Sequence, residues 1–265
     1  MKIIHFSDPH GGGPAEDWMA YFDKRWVGVF NYRFRRRFQH DLSKLEKAVK
    51  YILEVKPDLA VCTGDLTSSG QPGEFERVKA ILASLVESGI PLVYTPGNHD
   101  CYVKRPWCVK AMKDAVYEVN QRRFSFDEMP CSLELGGAEV IMLNTSRPSN
   151  LLCSWGFVQG KDSRKIAEIC EKEKKCPRIL VTHYPLIEDN KWLRIRHTLF
   201  RQGKLVKLLK EGKIDLVLCG HVHKHFLKVD ETGHGQCCSG SVTRNGNIVE
   251  IECNDGKFDF KTIDL

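Results

Sequence analysis

Five times along the chain a short apolar run stops at a cluster of aspartate, asparagine or histidine. Lys2-Ile3-Ile4-His5-Phe6-Ser7 leads into Asp8-Pro9-His10, and Leu59-Ala60-Val61-Cys62-Thr63 into Gly64-Asp65. Ile90-Pro91-Leu92-Val93-Tyr94 leads into the turn Gly97-Asn98-His99-Asp100. Arg178-Ile179-Leu180-Val181-Thr182 stops at His183, and Ile214-Asp215-Leu216-Val217-Leu218-Cys219 at Gly220-His221-Val222-His223. Apolar runs of this length, bounded by turn residues, predict buried strands. Two amphipathic helices separate the first three: Leu42, Leu45, Val49, Ile52 and Leu53 mark one over 41–55, and Phe75, Val78, Ile81, Leu82 and Leu85 mark the next. Strand, helix, strand, helix, strand implies parallel pairing through right-handed crossovers. In open α/β sheets ligands bind outside the carboxyl ends of the strands, so clusters far apart in sequence can share one site.

The pattern then changes. Residues 104–120 predict a helix, and Ser132-Leu133-Glu134-Leu135, Gly136-Gly137 and the apolar stretch 138–143 predict a hairpin. A polar loop is expected over 144–154, a helix over 162–173, and a helix end over 205–211. The tail, 226–264, alternates apolar and polar residues with Gly and Asn turns, as antiparallel strands do. These elements describe an α/β protein of two sheets packed face to face with helices outside. No Pro/Ser-rich linker, repeat or low-complexity tract divides the 265 residues, so one domain over 1–265 is expected.

Charge and cysteine usage narrow the class. The net charge of +6 is weak for a dedicated nucleic-acid binder but suits an anionic substrate. The eleven cysteines are odd in number and contain no C-x-x-C; Cys62 and Cys219 lie inside strand-like runs as small hydrophobes. No secretory signal and no apolar stretch of bilayer-spanning length is seen, so reduced thiols and a cytoplasmic protein, peripheral to a membrane at most, are expected.

Taken singly, each polar cluster has a plain structural explanation. Asp8 before glycines suits an Asx-turn, Asp65 a helix N-cap, and His183 a core histidine. Together Asp8, Asp65, Asn98, His10, His183, His221 and His223 offer two carboxylates, one amide and four imidazoles. Such a set suits Mn, Fe or Zn better than Ca. Gly220-His221-Val222-His223 is the strongest single motif, because histidines at i and i+2 of an extended strand face the same way.

The ordered set Asp-x-His, Gly-Asp, Gly-Asn-His-Asp, His and Gly-His-x-His resembles the calcineurin-like metallophosphoesterase superfamily, over nearly the full chain. Within it the sequence looks most like the bacterial class that includes cyclic-nucleotide phosphodiesterases. The resemblance implies a four-layer αββα sandwich, two mixed sheets flanked by helices. It implies that Asp8, His10 and His223 hold one metal ion, that Asn98, His183 and His221 hold the other, and that Asp65 bridges them. His99 is then the acid that protonates the leaving oxygen, and Asp100 orients it. The implied reaction is hydrolysis of a phosphoester, with the water between the ions as nucleophile.

The segment after the first cluster is unusual: Lys24, Arg25, Arg33, Arg35, Arg36 and Arg37 are interleaved with Trp26, Phe30, Tyr32, Phe34 and Phe38. The preferred reading is a helix whose phenylalanines at i, i+4 and i+8 dock on the core while the arginines are solvated. The alternative is a basic aromatic lip for an anionic substrate or membrane surface, with Trp107 and Trp155 beside it. That alternative admits a lipid-linked pyrophosphate of the UDP-diacylglucosamine type, or a nuclease. A non-catalytic scaffold is disfavoured because no ligand position is lost.

Overall fold

Strand periodicity, seen in the burial of individual side chains, defines the layers. The computed structural model describes residues 1–148, 153–188 and 197–265. In β5 (Ala138–Met142), β7 (Arg178–Val181) and β9 (Leu216–Cys219), alternate residues go to different cores. Val140, Met142, Ile179, Val181, Leu216 and Leu218 join the cluster that also holds Ile3, Ile4 and Phe6 of β1 (Lys2–Phe6). Ile141, Leu180 and Val217 point the other way, into a second cluster with Ile166, Leu205 and Leu208. A strand covered on both faces can be apolar throughout, which explains why these runs are continuous.

One sheet has the order β13-β12-β1-β2-β3, with β2 at Leu59–Cys62, β3 at Leu92–Tyr94, β12 at Asn247–Asn254 and β13 at Lys257–Asp264. The other has the order β10-β11-β9-β7-β5-β4, with β4 at Cys131–Leu135, β10 at His225–Val229 and β11 at Gly235–Ser239. Helices α2 (Leu42–Val55), α3 (Pro72–Glu87) and α4 (Pro106–Val119) contribute buried side chains to the first cluster; α5 (Gly160–Glu171) and α6 (Gly203–Lys210) contribute to the second. The architecture is the expected αββα sandwich. A small pair, β6 (Gly156–Phe157) with β8 (Leu199–Phe200), completes the sheets.

Local chemistry sets the helix ends. Asp41 caps α2 by accepting the Ser43 N–H at 2.9 Å, and Lys56, at φ 50°, closes it in the left-handed region. Gln71 and Glu74 form a capping box at the start of α3.

Two expectations change. The tail is not one antiparallel set: β10 and β11 extend the second sheet, β11 pairing parallel with β9, while β12 and β13 cross to the first sheet beside β1. A short helix, α7 (Val242–Asn245), makes that crossing. The basic segment is also not one helix: α1 covers Arg25–Phe34, and Phe38 lies in a separate 3-10 turn, Arg36–Phe38. Part of the expected 144–154 loop, residues 149–152, lies outside the described residues.

Candidate metal centre

The strands β1, β2 and β3 are parallel neighbours, as are β7 and β9, and each ends at one polar cluster. The polypeptide leaves them in an unusual conformation. Asp8, His10, Asp65, His221 and His223 have φ of 54°, 49°, 54°, 70° and 53°. Left-handed backbone is uncommon outside glycine, and strain of this kind gathers at functional sites. The backbone is braced there: Asp8 N–H donates to Gly64 O, His10 N–H to Asp65 O and Gly11 N–H to Leu66 O.

Two groups of ligand atoms result. Asp8, His10, Asp65 and His223 form one, and Asp65, His183 and His221 the other, the atoms of each group lying within 4.8 Å of one another. Asp65 Oδ2 stands 3.6 Å from His10 Nε2 and 3.5 Å from His183 Nε2, so one carboxylate oxygen serves both groups. Asn98 Oδ1 is 3.1 Å from His183 Nε2, which brings the amide into the second group. His221 Nδ1 is 3.2 Å from His183 Nε2. All seven expected ligand positions are therefore brought together.

The ring tautomers follow from the partners. His10 Nδ1 donates to Thr67 O and His183 Nδ1 to Thr63 O, because a carbonyl only accepts. Burial holds both imidazoles below the usual histidine range, so each turns a lone pair on Nε2 into the site. Backbone carbonyls orienting ligand rings in this way are the normal outer support of a metal site. The carboxylates point to the same chemistry. Asp8 Oδ1 is buried with no hydrogen-bond partner, 3.3 Å from His223 Nε2 and 3.7 Å from His10 Nε2. Burial, then the charges of Asp8 and Asp100, push the Asp65 carboxyl well above its ordinary range. An orphaned carboxylate oxygen, crowded carboxylates and convergent lone pairs are what bound cations would satisfy, so the residues fit two metal ions.

Glycine is required where backbone and carboxylate meet. A Cβ on Gly97 would collide with Asp65, and one on Gly220 with the side chains of Ser7 and Asp8. Close approach, not a positive φ, is thus the reason for Gly97.

Three expectations are corrected. Asp100 does not orient His99. Its Oδ1 accepts from Thr67 N–H and Oγ1–H at 2.9 and 3.0 Å, and its Oδ2 from Gly97 N–H and Tyr94 O–H, both at 2.8 Å. Those four donors use the lone pairs of the carboxylate, which makes it the brace of the turn. Next, His221 and His223 do not share a strand face: β9 ends at Cys219, and the two rings go to different groups. Finally, the basic segment does not dock its aromatics on the core. Phe30, Phe34 and Phe38 are exposed, whereas Arg25 is wholly buried against Asp17 and Asp23. Gly28 explains the orientation: its Cα packs so closely on Ser69 that a Cβ there would come within 2.6 Å of the serine Cβ.

Arg36 joins the centre instead of the surface. Its Nη2–H donates to His99 Nε2 at 3.0 Å, while His99 Nδ1 donates to Ser68 O at 2.7 Å. Burial, then the Arg36 charge, hold the His99 ring well below the usual range, and Tyr102 stacks on it at 5.3 Å. Two further histidines were not singled out by any motif. His40 forms a close group with His10 and His223, and His197 Nδ1 lies 3.0 Å from His221 Nε2. Only the position of the basic segment, directly after Asp8 and His10, hints at Arg36; nothing in the sequence marks His40 or His197.

Comparison with known proteins gives the class. The family profile described as calcineurin-like phosphoesterase matches residues 1–225, and the chain belongs to that family. Its relatives include a 3′,5′-cyclic-nucleotide phosphodiesterase of Nostoc sp., 27% identical, covering 70% of this chain and 64% of that protein. A cAMP/cGMP dual specificity phosphodiesterase of Mycobacterium tuberculosis is 25% identical, over 64% of this chain and 49% of that protein. A 3′,5′-cyclic adenosine monophosphate phosphodiesterase of Escherichia coli K12 is 28% identical, over 64% and 55%. The matches thus span from 49% to 64% of the length of these curated relatives. Among solved structures, a dimetal phosphatase from Danio rerio shares the fold, with TM-score 0.66, 12% identity and coverage of 99% of this chain and 95% of that one.

Proposed function

We propose that the chain is a two-metal hydrolase of a small phosphodiester, with a 3′,5′-cyclic nucleotide the first substrate to test. The observation that carries this reading is the position of Asp65 Oδ2, within 3.6 Å of an imidazole nitrogen in each of the two groups. Asp8, His10 and His223 would hold one ion, and Asn98, His183 and His221 the other, with Asp65 common to both. The nitrogen and oxygen donors suit Mn, Fe or Zn. Bound there, the ions supply Lewis acidity toward phosphoryl oxygens and a nucleophile at neutral pH.

The protein's own groups do the rest. His10 and His183, oriented by carbonyls, keep their Nε2 lone pairs free of protons. Asp65 Oδ1 accepts the His99 N–H at 2.7 Å and so ties the turn to the shared carboxylate. Arg36 brings a guanidinium to the same place, suited to a phosphate oxygen. His99 accepts from Arg36 in this arrangement. Its role as acid therefore requires the substrate phosphate to draw the guanidinium off Nε2, where a proton can then be held for the leaving oxygen. The similarity to cyclic-nucleotide phosphodiesterases supports the substrate class.

The test is a substrate panel with added Mn: cyclic nucleotides, mononucleotide esters, bis(p-nitrophenyl) phosphate and a sugar-nucleotide pyrophosphate. Turnover of cyclic nucleotides is expected; absence of turnover on every phosphoester would overturn the reading. His99→Ala should lose roughly 10²–10⁴-fold with an alkoxide leaving group and much less with p-nitrophenolate, which needs no proton. Equal losses on both would remove the acid role.

A further inference from the structure

Helix α1 and the short 3-10 turns before and after it, Trp18–Tyr21 and Arg36–Phe38, carry an apolar surface that neither the candidate centre nor the core uses. Trp18, Tyr21, Phe22, Trp26, Phe30, Phe34 and Phe38 are each at least 47% exposed, whereas no other large apolar side chain among the described residues exceeds 44%. The seven come from one segment and adjoin in space: Tyr21, Trp26, Phe30 and Phe34 line one cavity, Trp18 packs on Phe22 and Phe30 on Phe34, and Phe38 lies under Arg37 at the cavity's edge. Scattered apolar residues need no explanation, but a contiguous patch marks a binding surface.

The patch has a built geometry. At 100° per residue, Trp26, Arg33, Phe30 and Phe34 fall on one side of α1, and Gly28, Arg25 and Tyr32 on the other. The second side is locked down: Gly28 lies on Ser69, and Arg25 is held between Asp17 and Asp23 at 2.6 and 3.0 Å. The aromatic side therefore faces outward on a fixed helix. A cavity of about 310 Å³ along it is lined by Tyr21, Trp26, Phe30 and Phe34 together with Arg33 and Arg37.

Charge selects the partner. Arg33, Arg35 and Arg37 are exposed, and Arg37 lies over Phe38 with its guanidinium carbon 4.5 Å from the ring centroid. The one acidic residue between Trp18 and Phe38 is Asp23, which is taken up by Arg25 and Arg105. Four of the seven aromatics are phenylalanines, which have no polar edge to satisfy and gain only by entering an apolar medium. Phenylalanines flanked by arginines on one helix face match the boundary between acyl chains and anionic headgroups, where arginine stems snorkel.

We propose that this face docks the protein onto an anionic lipid bilayer surface. The same segment carries Arg36 to His99, so the docking face and the candidate centre belong to one folded unit. The inference does not depend on the substrate assigned above, because docking is expected with or without metal and turnover.

Flotation with phosphatidylcholine vesicles, with and without about 30% phosphatidylserine, tests it at low and high salt. The full chain should float with the anionic vesicles only, release at high salt, and shift its tryptophan emission to the blue. The variant Phe30→Ser/Phe34→Ser/Phe38→Ser should stay in solution. Each arginine near such a surface contributes about fivefold, so Arg33→Glu/Arg35→Glu/Arg37→Glu should weaken binding by roughly 100-fold or more. Both variants should keep wild-type turnover of a soluble phosphodiester. Three results would overturn the proposal: no flotation of wild type, flotation unchanged in both variants, or a dimer that the phenylalanine variant converts to monomer. Binding of a single-stranded oligonucleotide in place of vesicles, lost in the same variants, would also overturn it.

Discussion

Replacing Asp65 by asparagine should have opposite effects with and without metal. In the metal-free protein the Asp65 carboxyl is buried, and burial followed by the nearby Asp8 and Asp100 charges already disfavours its ionised form. Asparagine keeps an oxygen for the His99 N–H, now 2.7 Å from Oδ1, and removes the charge. The metal-free variant should therefore be at least as stable as the parent. With metal the order reverses. An ion present at about 100 times its Kd stabilises the parent by about 2.7 kcal/mol. For a chain of this size that corresponds to a melting-temperature rise of roughly 5–11 °C. If losing the shared carboxylate weakens binding about 100-fold, the same ion concentration leaves about 0.4 kcal/mol. The remaining rise is then about 1 °C. Thermal unfolding of both proteins in chelator and in fixed excess Mn measures all four values. A variant that keeps the full Mn-induced rise, or that melts far below the parent in chelator, would refute the shared-carboxylate argument.

Two other substitutions probe the frame around the centre. Gly97→Ala puts a methyl group into Asp65, so metal affinity measured by calorimetry should fall by about 10–100-fold, as when a ligand's support is lost, with circular dichroism unchanged. For pH dependence, His5 is buried against Thr63, and burial, then the His225 charge, lower its pKa from 6.5 to about 3. The unfolded chain therefore binds a proton that the folded one does not. The stability this residue contributes is present above about pH 6.5 and falls as pH drops toward about 3, by about 1.4 kcal/mol per unit. Urea unfolding of His5→Gln should show a stability–pH slope smaller than the parent's by one proton between those limits; an unchanged slope would contradict the buried neutral ring.

The legible parts of the sequence were those where one physical rule dominates. Strands buried on both faces leave continuous apolar runs, so β1, β2, β7 and β9 stand out, and the candidate ligands stand out because they follow strand ends. The helix α1 was ambiguous for a definite reason. Phenylalanines at i and i+4 mark one face of a helix whether that face is buried or exposed. Here Gly28, which lets the opposite face lie against Ser69, decides the matter. Asp100 misled in a similar way: adjacency to His99 suggested partnership, but its side chain turns to Thr67, Tyr94 and Gly97. The tail's alternation showed strands but not which sheet each joins, because pairing partners such as β12 with β1 are set by long-range packing. His40 and His197 carry no motif and reach the centre only through the fold.

This fold gathers candidate ligands for two metal ions around one carboxylate, that of Asp65. Elemental analysis of the purified chain after Mn loading and desalting, paired with phosphodiester turnover on the same sample, tests it most directly. Two ions per chain, with turnover lost in chelator and restored by Mn, is the predicted result. Full turnover in metal-free protein, or no bound metal after loading, would contradict it.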